Sequence, residues 1–191
     1  MSEMEDLERA REIFRHYDGS RFHMDRDGAS EEYRRFAVPH EIEQRWLAEL
    51  TASHLSQLAS PDGWRAVYFV NHHSDLSHLA EIITAQPTGV FWQRCSYEEL
   101  LLEYLDRCGD GALSGPVSTP LRYNDAVIAR ALNRVTANGR ALRRRVRSDH
   151  SVRRVEVLLE DASRRQEAAV ASPVGFWRWS NLERTAVPAH P

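Results

Sequence analysis

Three groups of residues in this chain have the types and spacing to do chemistry. The first is Asn71-His72-His73-Ser74-Asp75-Leu76-Ser77-His78, which concentrates imidazoles around one carboxylate. Imidazole beside carboxylate suits a transition metal or a general base. Placed on a helix from residue 72, only His72, Asp75 and His78 converge, across about one third of the circumference. They are the candidate catalytic or metal-ligating residues; no cofactor is expected, and a divalent transition metal is the one these residues would admit. The spacing departs from the His-x-His-x-Asp-His pattern of metallo-hydrolases, and a helix cap with a partly buried histidine is the plainer reading.

The second group is electrostatic. Residues 1–121 hold 11 arginines and 21 acids, whereas residues 122–154 hold 10 arginines and two acids, so a net charge of −3 conceals a strongly basic segment. On a helical wheel of 121–147, Arg122, Arg130, Arg134, Arg140, Arg144 and Arg147 are read as lying opposite an apolar stripe of Leu121, Ile128, Ala131, Leu132 and Val135. Three uses of such a face compete: a solvated face neutralised by the acidic first half, a dock for an acidic protein, and a phosphate-binding surface. An isoelectric point near 6.3 and the lack of interleaved aromatic residues weaken the nucleic-acid reading.

The third group is aromatic. Trp177 and Trp179 stand in a C-terminal stretch from residue 172 and serve either to dock that tail or to anchor a partner. Cys95, read at a strand-to-helix junction, is a remote candidate nucleophile. The polar stretch 17–28 has the content of a binding loop but not the spacing of an EF-hand. Neither a Gly-x-Ser-x-Gly elbow nor a phosphate-binding glycine loop is present.

Composition removes further classes. All 25 basic residues are arginine, so a Walker lysine, a kinase strand lysine, a Schiff base and a biotinyl or lipoyl attachment are excluded within this sequence. No apolar run approaches the length of a membrane span, and an acidic N-terminal stretch is unlike a signal peptide. The expected location is cytoplasmic, with both cysteines as thiols.

These residues must be carried by secondary structure. Leu7, Ala10, Ile13, Phe14 and Tyr17 predict a helix over 3–17, and Ile42, Trp46, Leu47, Leu50, His54 and Leu58 predict another through residue 60. Trp64–Val70 and Val90–Cys95 are rich in aromatic and β-branched residues and predict strands, with Ser96 and Glu99 as a capping box opening the following helix. Residues 121–147 and 152–169 predict an antiparallel helical hairpin, with Gly139 either inside its first helix or ending it.

The expected fold is therefore α+β or small α/β: a sheet of two to three strands around 64–95 covered by helices, plus the C-terminal hairpin. The expected organisation is a core region 1–110, a linker 111–120, an arginine-rich hairpin 121–171 and an aromatic tail 172–191. The leading functional expectation is a non-catalytic cytosolic interaction or regulatory protein. It would bind a protein partner or itself through Arg130, Arg134, Arg140, Arg144, Arg147, Trp177 and Trp179. The alternatives are an enzyme using residues 72–78 and a nucleic-acid binder using residues 122–154.

Overall fold

The computed structural model describes residues 3–110 and 125–171, and the expected linker 111–120 and the tail with Trp177 and Trp179 lie outside the described residues. All regular structure among the described residues is helical. Two compact units divide the chain, Met1–Gln57 and Leu58–Pro191.

The first unit holds α1 (Glu3–His16), α2 (Arg21–Arg26), α3 (Ser30–Arg35) and α4 (His40–Leu55). Ala10, Ile13 and Phe14 share one face of α1 and bury against Met24, Tyr33 and Trp46. The ring of Phe14 lies 5.6 Å from Trp46 and 6.2 Å from Tyr33. The stretch 17–28, which resembles a polar loop in the sequence, contains α2, capped by the Ser20 hydroxyl accepting from the His23 amide. Met24 is fully buried, and so this short helix serves the core.

The second unit holds α5 (Gly63–His72), α6 (Leu79–Thr84), α7 (Phe91–Asp110), α8 (Asp125–Arg143) and α9 (Asp149–Ala171). Helix α7 is central, packing on α5, α6, α8 and α9. The expected sheet is overturned here: Trp64–Val70 lies within α5, and Phe91–Cys95 is the first part of α7. Strand alternation would put Ala66, Tyr68 and Val70 on one face, but Tyr68 is 44% exposed while Ala66, Val67, Phe69 and Val70 are buried. Burial at i, i+1, i+3 and i+4 is helical, and packing on α7 outweighs the β-branched propensity. Over the described residues the protein is helical, not α+β.

The capping box expected at Ser96 and Glu99 is also corrected, because α7 begins five residues earlier and Ser96 lies inside it. Helices α8 and α9 run antiparallel, since Asn133 bonds Gln166, Gly139 faces Leu159 and Arg143 pairs with Glu156. Gly139 neither caps nor breaks α8. A Cβ there would stand 2.8 Å from Leu159 Cδ2, so its small size lets the two helices approach.

Candidate functional site

Among the described residues of the second unit, two sets of arginines stand apart. The inward set meets the acids of α7. Arg134 of α8 spans the ring of Tyr97, with its guanidinium 5.0 Å from the centroid, and donates to the Ile82 carbonyl at the end of α6 and to Glu98 Oε1 at 3.4 Å. Asn138, one turn later, donates to the same Glu98 oxygen at 2.8 Å. The Arg134 and Glu98 side chains are 9% and 2% exposed, and burial pushes the Glu98 carboxyl above the ordinary glutamate range despite Arg134.

Two further crossings follow the same pattern. Arg154 of α9 donates to both Glu99 oxygens, at 2.8 and 2.5 Å, and to the Ser96 hydroxyl at 3.0 Å. Buried Arg165 donates to Asp106, Asp161 and the Leu102 carbonyl. The pair Ser96 and Glu99 is thus a docking point for an arginine two helices away. Cys95 sits beside it, fully buried within α7, and burial with the adjacent Glu99 pushes its thiol up to about 12. A thiol in that state is no nucleophile at neutral pH.

The outward set clusters where α8 passes into α9. Arg140, Arg144, Arg145, Arg147 and Arg153 are exposed and form no ion pair among the described residues. Arg143 is the exception at this corner, because its Nε lies 3.2 Å from Glu156 Oε1 across the turn. Val146 folds back through its amide to the Leu142 carbonyl and the Ser148 hydroxyl accepts from the Ser151 amide, so the turn is built by local bonds on both sides. Positive side chains at the C-terminus of α8 also complement its dipole.

Of the partner-binding residues expected from sequence, Arg140 lies exposed in the last turn of α8 and Arg144 and Arg147 lie exposed in the connector that follows it, while exposed Arg130 lies on α8 about 15 Å before Arg140. Arg134 is turned into the core rather than out to solvent. Its wheel position lies only about 60° from Ala131, so it flanks the apolar stripe, and that was the signal for its burial. Arg145 and Arg153 join the exposed cluster although periodicity gave no reason to single them out.

The 72–78 segment closes α5 and leads into α6. His72 is the last residue of α5 and stacks on Tyr68 one turn back, at 6.0 Å and 17°. Asp75 and His78 do meet, with His78 Nε2 3.1 Å from Asp75 Oδ2, while His78 Nδ1 lies 3.5 Å from Glu81 Oε1. These carboxylates address opposite sides of one imidazole and share no common point of coordination. Among the described residues no group of three or more His, Cys, Asp or Glu side chains is arranged to hold a metal.

Asp75 otherwise builds the connector. Its Oδ1 accepts from the Ser77 amide and hydroxyl, and the Tyr104 hydroxyl donates to the Asp75 carbonyl at 2.8 Å while accepting from the His78 amide. Burial would raise the Asp75 carboxyl, but the Ser77 and His78 contacts outweigh it and hold it below the ordinary aspartate range.

No helix among the described residues is long and apolar enough to cross a membrane. No protein-family model matches the sequence, and no curated protein or solved structure is significantly similar to it.

Proposed function

We propose that this chain is a non-catalytic interaction protein whose exposed arginine cluster at the α8–α9 corner binds a protein partner. One observation carries the reading. Arg134, Arg154 and Arg165 are each matched to an acid of α7, whereas Arg140, Arg144, Arg145, Arg147 and Arg153 stand exposed without an ion pair among the described residues. Like charges concentrated on one exposed corner repel one another weakly, and the carboxylates of a partner would relieve that repulsion. Arginine suits this use, because its planar fork matches carboxylates bidentately and sheds water more readily than an ammonium.

The catalytic alternative gains no support from the 72–78 segment, whose Asp75 and His78 are spent on the connector between α5 and α6. Native mass spectrometry of the full chain isolated from its own source tests the proposal. It is expected to carry a protein subunit, either another protein or a second copy, that is lost from the Arg144→Glu/Arg145→Glu/Arg147→Glu variant. A wild-type chain that is strictly monomeric and partner-free would overturn it.

A further inference from the structure

We infer that the partner segment taken by the corner is a run of carboxylates rather than a nucleic-acid backbone, an inference that rests on the reading of the corner as a binding surface. The corner already holds one carboxylate of its own. Glu156, half exposed on the first turns of α9, reaches back across the turn to the Arg143 guanidinium at 3.2 Å. An exposed arginine at this place therefore has the orientation and room to take a carboxylate in contact, and its neighbours Arg140, Arg144, Arg145, Arg147 and Arg153 offer the same group to solvent.

Acids interleaved with the arginines decide between the two polyanions. Asp149, Glu156 and Glu160 are all exposed along the first three turns of α9, beside the cluster. A nucleic-acid duplex carries a charge every few ångströms along a stiff track, so its phosphates cannot be set one by one away from those acids. A flexible acidic peptide can set individual side chains onto Arg144, Arg145 and Arg147 and steer its backbone clear of Asp149 and Glu156. The net charge of the whole chain, −3, adds to the repulsion felt by a long polyanion and matters little to a short one.

Glu156 is then a competitor built into the surface. Neutralising it removes a negative charge from the corner and releases Arg143, raising affinity for an acidic segment. The test is fluorescence anisotropy of the full chain at low ionic strength with two probes, a labelled oligoglutamate and a labelled DNA duplex. Oligoglutamate should bind more tightly than duplex, Glu156→Gln should tighten it several-fold, and Arg144→Glu/Arg145→Glu/Arg147→Glu should abolish it. Replacing the same three arginines by lysine should weaken it only in part, since charge survives and the fork does not. Tighter binding of duplex than of oligoglutamate would overturn this inference while leaving the corner a binding surface. Binding of neither probe would count against the corner itself, and so would binding that survives the charge reversal.

Discussion

Glu98 of α7 and Arg134 of α8 meet in the interior of the second unit, with side chains 2% and 9% exposed, and Asn138 completes the contact from the next turn of α8. Breaking such a pair from one side leaves a buried charge uncompensated, which costs about 3–5 kcal/mol. Arg134→Ala should therefore lower the unfolding free energy by about that much in denaturant titration. Adding Glu98→Gln should recover a large part of the loss, because the stranded carboxylate is then neutral. Equal losses in the single and double variants would mean that Arg134 stabilises only through Tyr97 and the Ile82 carbonyl.

Glu98 and Asp75 should give opposite dependences on pH. The folded state raises the Glu98 carboxyl, so its contribution is complete below the ordinary glutamate range and is lost as pH rises through the raised value. The folded state lowers Asp75, so its contribution is present above the ordinary aspartate range and is lost as pH falls. In unfolding free energy followed against pH, Glu98→Gln should flatten the decline on the higher-pH side. Asp75→Asn should flatten the decline on the acid side. An exchange of those effects would refute the assignment of burial to the first and hydrogen bonding to the second.

A branched side chain at Gly139 should destabilise the second unit. Gly139→Val drives new methyl groups toward Leu159 Cδ2 and Cγ, which already lie 2.8 and 3.2 Å from a bare Cβ. Overpacking of this kind costs about 1–3 kcal/mol. Leu159→Ala in the same chain should restore part of it, so that the two substitutions are non-additive in a double-mutant cycle. Strict additivity would place the clash elsewhere.

Cys95 should be silent toward thiol reagents in the folded protein. Its thiol, pushed up to about 12, lies within α7 and donates to Glu99 at 3.4 Å. In a Cys108→Ser chain, a disulfide reagent should react only in denaturant. Prompt reaction under native conditions would contradict the buried placement.

The long helices of the first unit were legible because Ala10, Ile13 and Phe14, or Trp46 with its neighbours, repeat at helical spacing. Trp64–Val70 was misread because β-branched and aromatic content also describes a helix buried on most of its surface, and what separates the two is the exposure of Arg65 and Tyr68 at helical spacing. At the candidate site the charge asymmetry singled out the segment that carries both the inward and the exposed arginines. It was silent on which arginines are consumed, since Glu98, Glu99 and Asp106 reach Arg134, Arg154 and Arg165 from 36 to 59 residues away. Ser96 and Glu99 have the spacing of a capping box and instead receive Arg154. Local spacing carries no information about a partner two helices on.

The central claim is that the inward arginines hold the fold and the corner arginines hold a partner. Its most direct test is one variant, Arg144→Glu/Arg145→Glu/Arg147→Glu, followed in denaturant unfolding and in partner retention on the same preparation. At an exposed corner the relief of like-charge repulsion and the loss of favourable charge at the end of α8 are both small and opposite in sign, so the unfolding midpoint should stay close to the wild-type value while the retained subunit is lost. A variant that unfolds markedly earlier, or that keeps the subunit, would contradict the account.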